Sequence, residues 1–119
     1  DARLTPRQVF ERALAYRGTL ETSPLDPVKL CSEWNLDQFV FENQAWSTLS
    51  NGQAQRAHLA IALALRPKIL LLDEFTSALD EAATIQVENT LKQLGITSLI
   101  VSHSPSQLKR LCHRKFEIG

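Results

Sequence analysis

Apolar and polar positions divide this chain into two parts that meet near residue 66. The first 48 residues give no strand signal, and apolar residues recur there at the spacing of amphipathic helices. Later in the chain, short apolar runs alternate with helical segments, which is typical of an α/β fold with a parallel sheet. We therefore predict a helical part over residues 1–66, followed by a strand-bearing part over residues 67–119 with a partial parallel sheet and flanking helices.

Two proline-containing signals predict where the first helices begin. Thr5 before Pro6, and Asp26 before Pro27, each place a capping side chain ahead of a proline at the first helical position. We predict a first helix over roughly residues 6–16 and a second, short helix that begins after Asp26.

The next stretch is less regular, and a buried helix follows it. Residues 35–48 have weak periodicity, so we predict an irregular segment anchored in the core by three aromatic side chains, Phe39, Phe41 and Trp46. From residue 53 to residue 65 the pattern is helical and apolar on nearly every side, which is typical of a helix buried by the surrounding protein. Pro67 ends this helix.

Strands and helices alternate after Pro67. Residues 68–72 are dominated by Ile and Leu, as expected for a parallel strand covered on both faces, and residues 97–101 predict a second buried strand. Between these strands, Asp80 caps a predicted helix over residues 81–94, and Gly95 ends it.

The end of the chain continues this alternation. Ser104 and Pro105 predict another helix to about residue 112, and residues 115–118 are predicted to form a last strand. Parallel strands direct their carboxyl ends to one edge of the sheet, where ligands of such folds bind. The polar residues that follow each strand are therefore candidates for a functional site.

Charge and cysteine content narrow the possible functions. Lys and Arg total 13, as do Asp and Glu, so the chain lacks the basic surplus that grips a phosphate backbone, and we expect no nucleic-acid partner. The two cysteines form no C-x-x-C pair, which indicates reduced thiols rather than a disulfide framework. The sequence contains no Met and begins at Asp1, so we expect a fragment of a longer gene product.

Two adjacent carboxylates follow the first predicted strand, and a histidine follows the second. A carboxylate at the end of a buried strand needs a positive partner, and Asp73 could meet a magnesium ion on a nucleotide. Glu74 could accept a hydrogen bond from an attacking water. The alternative is that both acids only cap the following turn. His103 could donate to a phosphate oxygen or be an ordinary histidine with satisfied hydrogen bonds.

A second candidate site lies at the start of the helix near residue 53. Ser50 is a good capping residue, and Gly52 lets the backbone approach a ligand closely. Free N–H groups and the positive end of the helix dipole would then form an anion site from Ser50, Asn51, Gly52 and Gln53. The alternative is an ordinary helix cap.

Four motifs occur in an order and at separations that, taken together, resemble the ATP-binding cassette (ABC) ATPase family. They read LSNGQAQR, LALRPKILLLDE, TSALD and LIVSH. The resemblance covers the whole chain and is strongest from Trp46 to His103. It implies an incomplete P-loop NTPase domain, in which residues 1–48 form the helical subdomain that faces the membrane partner in transporters.

The resemblance also implies a role for each motif. Residues 49–53 correspond to the signature motif, whose Ser50 and Gly52 would touch an ATP held mainly by a partner domain. Residues 69–73 correspond to Walker B, in which Asp73 would hold Mg²⁺ through water. Glu74 corresponds to the catalytic glutamate and His103 to the switch histidine. Residues 77–80 correspond to the D-loop, which makes Asp80 a nucleotide-site residue.

The chain departs from the family pattern in three ways. Asn51 replaces a usual glycine, a mild change because Asn tolerates positive φ. Phe75 replaces a usual proline, which frees a backbone N–H and loosens the turn after Glu74. No lysine follows any of the four glycines, so these 119 residues contain no G-x-x-x-x-G-K-[ST] phosphate loop. We therefore expect the isolated chain to be inactive as an ATPase.

The resemblance implies a fragment of the ATP-binding subunit of an ABC transporter. The whole protein would couple ATP binding and hydrolysis, at a head-to-tail dimer interface, to transport through a membrane-spanning permease. Its cofactors would be ATP and Mg²⁺, its partners a second nucleotide-binding domain and the permease, and its location the cytoplasmic face of a membrane.

Two alternatives remain open from the sequence. One is a non-transport ABC ATPase acting in DNA repair, chromosome organisation or translation, although residues 1–48 contain neither heptad arms nor a cysteine-rich zinc insertion. The other is a docking fragment without catalysis. The transported substrate and the direction of transport are not encoded in these motifs.

Overall fold

The computed structural model describes residues 2–17 and 23–114. In chain order the elements are α1 (Pro6–Arg17), α2 (Pro27–Glu33), α3 (Gln38–Asn43), a 3₁₀ turn (Trp46–Thr48), α4 (Asn51–Ala64), β1 (Ile69–Asp73), α5 (Glu81–Leu94), β2 (Thr97–Val101) and α6 (Pro105–Leu111). The two strands pair in parallel, with Ile69 opposite Thr97 and Asp73 opposite Val101. The predicted helices and strands are confirmed in their order up to α6, with α3 and the 3₁₀ turn added where an irregular segment was predicted. The last predicted strand, residues 115–118, lies outside the described residues.

Most helix ends lie where local sequence signals put them. The Asp26 carboxylate accepts a hydrogen bond from the N–H of Val28 at 3.0 Å, so this aspartate caps α2 as predicted. Gly95 ends α5 with φ at 64°, in the left-handed region that glycine adopts without steric cost. These ends depend on contacts between near neighbours, which is why the sequence predicts them well.

Residues 35–48 are more ordered than the weak periodicity predicts. They contain α3 and the 3₁₀ turn, and the Asp37 carboxylate caps α3 by accepting from the N–H of Phe39 at 2.7 Å. Phe41 is fully buried, but Phe39 is 61% exposed, so its prediction as an anchor is wrong. Two residues apart on a helix, these side chains point about 200° from each other and cannot share the buried face.

The core lies mainly among the helices. Its fully buried members include Trp34 and Cys31 of the α2 region and Phe41 of α3, packed with the small residues of α4. The indole Nε1 of Trp34 donates to Thr90 Oγ1 at 2.9 Å and so joins the helical part of the chain to α5. Burial raises the pKa of the Cys31 thiol to about 12, which keeps it protonated and unreactive at neutral pH.

The sheet is covered on one face only within the described part of the chain. Leu70 and Leu72 are buried, but Ile69 and Leu71 are 65% and 73% exposed, and Leu99 of β2 is 60% exposed. The prediction of strands buried on both faces is therefore wrong here. Alternate residues of a strand point to opposite faces, and the described helices pack against only one face of this sheet.

Candidate functional site

The carboxyl ends of the two strands bring Glu74 and His103 together, as their positions after β1 and β2 predict. The N–H of Glu74 donates to the carbonyl of Val101 at 2.9 Å, and the N–H of His103 donates to Glu74 Oε1 at 2.9 Å. The imidazole Nε2 of His103 lies 3.6 Å from the same carboxylate oxygen, and its side chain is 94% exposed. A main-chain contact thus holds the carboxylate, while the imidazole stays open to a ligand.

Glu74 occupies a backbone conformation that is rare for a side chain of its size. Its φ is 50°, and such positions cost about 1–3 kcal/mol and cluster at functional sites. The turn is held by a hydrogen bond from the N–H of Ser77 to the carbonyl of Glu74, at 3.1 Å, and by Phe75, which is buried in the core. Burial of the Phe75 ring therefore helps to fix this turn. The sequence predicts a looser turn, because proline is usual at this position in the family that the chain resembles.

Asp73 is exposed at the end of β1, so the argument that burial demands a cation beside it is wrong. Within residues 2–17 and 23–114, no hydrogen bond or ion pair engages its carboxylate, and no three His, Cys, Asp or Glu side chains cluster to hold a metal. Magnesium is usually held by one or two carboxylates, waters and the phosphates of a substrate. The accessible carboxylate of Asp73 matches this type of magnesium coordination.

The start of α4 forms a reciprocal cap. Ser50 Oγ accepts from the N–H of Gln53 at 3.1 Å, and Gln53 Oε1 accepts from the N–H of Ser50 at 2.9 Å. Four N–H groups at a helix start lack helical partners. The cap uses two of them, and in the described part of the chain the N–H groups of Asn51 and Gly52 make no hydrogen bond. They remain available to an anion.

Gly52 allows a close approach between backbone segments and does not adopt positive φ. Asn51 and Gly52 are both helical, so the expected tolerance of Asn51 for positive φ is not used. A Cβ atom at position 52 would lie 3.1 Å from the carbonyl oxygen of Ala78, in the loop that follows Glu74. Helix α4 therefore begins directly against this loop.

Gln55, which sequence reasoning missed as a functional residue, joins the two candidate sites. Its amide Nε2 donates to the carbonyl of Glu74 at 3.2 Å and to Ser77 Oγ at 3.3 Å, while its Oε1 accepts from the N–H of Ala78 at 2.9 Å. The signal was its position within LSNGQAQR, one helical turn beyond Gly52 on the same face. This side chain holds the start of α4 against the turn that carries Glu74.

Asp80 lies at the other end of the same loop and caps α5. Its Oδ1 accepts from the N–H of Ala83 at 2.8 Å. The carboxylate thus has a structural contact of its own, and its assignment to a nucleotide site stays a prediction.

Glu88 of α5 forms a buried polar network with Gln107 and Arg110 of α6, and Gln107 contacts the loop after β1 and the loop after β2. The sequence analysis did not predict this network. The Glu88 carboxylate is 1% exposed and accepts from Arg110 Nε at 2.7 Å, from Arg110 Nη2 at 2.8 Å and from Gln107 Nε2 at 3.0 Å. Burial pushes the pKa of Glu88 upward, but the hydrogen bonds from Arg110 and Gln107 outweigh it and hold this pKa below its ordinary value.

Comparison with known proteins relates this chain to ABC transporter proteins. A family model described as "ABC transporter" matches residues 10–77. The methionine import ATP-binding protein MetN of Pasteurella multocida is 50% identical over an alignment of 116 residues that covers 92% of this chain and 33% of that protein. ABC transporter I family member 17 of Arabidopsis thaliana is 47% identical over 87 residues, 70% of this chain and 33% of that protein. The chain thus spans about a third of the length of these relatives.

Solved structures give the same result for the fold. The dimeric structure of a bacterial ABC transporter cassette matches with a TM-score of 0.77 and 26% identity over 92% of this chain and 50% of that chain. A dimeric post-hydrolysis state of that cassette, bound to ADP and Pi, matches with a TM-score of 0.75 and 28% identity. The predicted fold class, an incomplete ABC-type P-loop NTPase domain, is confirmed, and this chain belongs to the ABC transporter family.

Proposed function

We propose that this chain is part of the ATP-binding subunit of an ABC transporter, whose whole form binds and hydrolyses ATP. The observation that carries the proposal is the contact between the Glu74 carboxylate and His103 beside the accessible carboxylate of Asp73. Two of the relatives support a transport role, since one is named a methionine import ATP-binding protein and the other an ABC transporter. No observation favours a role in DNA repair, chromosome organisation or translation.

The proposed catalytic role belongs to Glu74. Its Oε1 accepts from the N–H of His103, and among the described residues no group donates to its Oε2. That oxygen can accept a hydrogen bond from the attacking water and orient it. The exposed imidazole of His103 can donate to a phosphate oxygen on the same side of the sheet.

Magnesium and ATP fit the remaining residues of the site. Asp73 would hold Mg²⁺, through water, and the bound ion would neutralise charge on the phosphates. The free N–H groups of Asn51 and Gly52 suit a phosphate, and the Ser50 hydroxyl, which accepts from Gln53, can still donate its own hydrogen. We propose that these groups face an ATP held mainly by a second nucleotide-binding domain.

The partners and the location follow from the same proposal. A second nucleotide-binding domain would complete the ATP site, and the helical part, residues 1–66, would meet a membrane-spanning permease. The described residues contain no helix long and apolar enough to cross a bilayer, and we propose that the permease holds the protein at the cytoplasmic face. Residues 67–119 would form part of the ATPase core, whose missing portion would cover the exposed sheet face.

Substitution of Glu74 in the full-length protein tests this function. We expect Glu74→Gln to retain ATP binding, to lower turnover by at least about a hundredfold and to trap a dimer, because an amide nitrogen in place of Oε2 cannot accept a hydrogen bond from the attacking water. Glu33→Gln makes the same chemical change at an exposed position in α2, away from the site, and should leave turnover unchanged. Normal turnover by Glu74→Gln would refute the assignment.

The isolated 119-residue chain provides a second test. We expect very weak ATP binding and no hydrolysis, because its sequence contains no phosphate loop. Equilibrium binding of a fluorescent ATP analogue and a phosphate-release assay would measure both. Robust turnover by this chain alone would contradict the proposal that its ATP site needs further protein.

A further inference from the structure

One buried side chain, Gln107 of α6, contacts both loops of the candidate site. Its Nε2 donates to Thr76 Oγ1 at 2.8 Å, two residues after Glu74. Its Oε1 accepts from Ser102 Oγ at 2.7 Å, one residue before His103. Gln107 is only 4% exposed, so these hydrogen bonds form away from competing water.

The Glu88 carboxylate fixes the orientation of this amide. Glu88 can only accept, so Gln107 must present Nε2 to it, at 3.0 Å, and Arg110 holds the carboxylate from the other side. Nε2 then donates one hydrogen to Glu88 and the other to Thr76, while Oε1 faces Ser102. Both amide hydrogens and the amide oxygen are therefore engaged.

The loop before α6 depends on the same contacts. Ser102 Oγ, which donates to Gln107, also accepts from the N–H of Ser104 at 3.0 Å, and Ser104 Oγ accepts from the N–H of Gln107 at 3.3 Å. These bonds involve the residues on both sides of His103 in the chain, and the N–H of His103 donates to the Glu74 carboxylate. The network thus sets the separation of the two residues to which we assign the chemistry.

We propose that Gln107 is a positioning residue, which ties the loop after β1 to the loop after β2 so that the Glu74 carboxylate meets the N–H of His103. The catalytic consequence rests on the proposed function. The geometric part stands on the hydrogen bonds alone. Loss of these bonds lets the loops separate, and a displacement of about 1 Å at a catalytic group can cost about a hundredfold in rate.

The experiment compares Gln107→Leu with a swapped pair in the full-length protein. Gln107→Leu removes all three contacts. Gln107→Glu alone puts two carboxylates side by side in a buried site, whereas adding Glu88→Gln restores one amide and one carboxylate. In the swapped pair the Thr76 and Ser102 hydroxyls can both donate to the new carboxylate. We expect Gln107→Leu to lose kcat by about ten- to hundredfold with little change in KM for ATP, and the swapped pair to recover part of it, because Arg110 Nη2 then faces the amide nitrogen introduced at position 88.

Amide hydrogen exchange at His103 gives a second readout that needs no activity. We expect Gln107→Leu to lose protection of the His103 N–H, and the swapped pair to regain it. Ser102→Ala removes one arm of the network while leaving Glu88 paired, so it should lower the same protection even if Gln107→Leu fails to fold. Unchanged protection in Ser102→Ala and in the folded Gln107 variants would overturn the proposal.

Thr90→Val is the matched control. It removes another buried hydrogen bond to α5, from Trp34, without touching either loop. We expect it to lower stability while leaving kcat and His103 protection as in the wild type. Equal losses of kcat in Thr90→Val and Gln107→Leu would show a general effect of destabilisation and would overturn the positioning role. If the wild-type protein hydrolyses no ATP, the proposed function fails, and the exchange data still decide the role of Gln107.

Discussion

The helices and the outer face of the sheet differ sharply in how they bury apolar side chains. Trp34 and Phe41 are fully buried among the helices, whereas Leu71 is 73% exposed on the sheet and Ile69 is 65% exposed. The helices find their packing partners within the described chain. A strand places alternate residues on two faces, and only one of them meets helices here. The stability of this chain should therefore depend on the helical core, while the outer sheet face should contribute little.

Truncation of Trp34 should have the largest effect. Trp34→Ala removes a fully buried indole and its hydrogen bond to Thr90, so we expect a loss of about 3–5 kcal/mol in the free energy of unfolding. Urea denaturation of the isolated chain measures it. Trp34→Phe retains most of the ring and should cost clearly less. A loss under about 1 kcal/mol for Trp34→Ala would contradict this prediction, because the helical core would then not dominate stability.

This contrast also separates what the sequence predicts from what it does not. Helix α5 and strand β2 lie where the pattern predicts them, since Asp80 and Gly95 act on their own neighbours. Burial of a whole strand face depends on which other elements reach it. A run of Ile and Leu does not report that, so exposed Leu71 is not foreseen.

The candidate site also contains some contacts that the sequence predicts and others that it does not. The pairing of Glu74 with His103 is predictable because parallel strands end at one edge of a sheet. Gln55 contacts Glu74, and Gln107 contacts Thr76 and Glu88, across separations of 19 to 31 residues, and glutamine at either position carries no local signal of these partners. Asp73 illustrates the opposite error, because its position after an apolar run suggested a burial that the one-sided sheet does not provide.

The polar network should have the next largest effect, because it stabilises the strand-bearing part through buried hydrogen bonds rather than apolar packing. Glu88→Gln replaces the buried carboxylate and leaves its amide nitrogen facing another donor, either Gln107 Nε2 or Arg110, so we expect a loss of about 1–3 kcal/mol at pH 7. Urea denaturation of variant and wild type measures this difference.

The difference in stability between the wild type and Glu88→Gln should change with pH in a defined direction. Hydrogen bonds from Arg110 and Gln107 outweigh burial and hold the pKa of Glu88 below its ordinary value. The carboxylate therefore stabilises the wild type fully above about pH 4.3, the usual glutamate pKa, and this contribution is lost as the pH falls toward the lower pKa of the folded state. The difference between wild type and Glu88→Gln should shrink from pH 7 to about pH 3. A difference that stays constant over this interval would contradict the prediction.

Removal of a helix cap should destabilise the chain less, and by a similar amount in the helical part and in the strand-bearing part. Asp26 caps α2 with a hydrogen bond of 3.0 Å, and Asp80 caps α5 with one of 2.8 Å. We expect Asp26→Ala and Asp80→Ala each to cost about 1 kcal/mol, measured by thermal unfolding. Similar costs would show that the two parts differ in burial and not in how their helices end. A cost for Asp80→Ala several times that for Asp26→Ala would give this loop a larger structural role.

The smallest effect is expected on the outer face of the sheet, where neighbouring leucines allow a matched test. Leu71 is 73% exposed and Leu72 is 5% exposed, although they are adjacent in β1. In the isolated chain, Leu71→Ala should change stability by no more than about 0.5 kcal/mol, whereas Leu72→Ala should cost about 2–5 kcal/mol.

The same pair in the full-length protein tests whether further protein covers the face. If further protein covers the face, Leu71→Ala should lower the stability of the full-length protein about as much as Leu72→Ala. Both side chains would then be buried, and their removal would leave cavities. Urea denaturation of both variants in both proteins measures the change. A large cost for Leu71→Ala already in the isolated chain would mean that the face is covered without any added segment, for instance by a second copy, and would remove the contrast between the helices and the sheet. A small cost in both proteins would show that the face stays open to solvent and would contradict the proposed covering by the rest of the ATPase core.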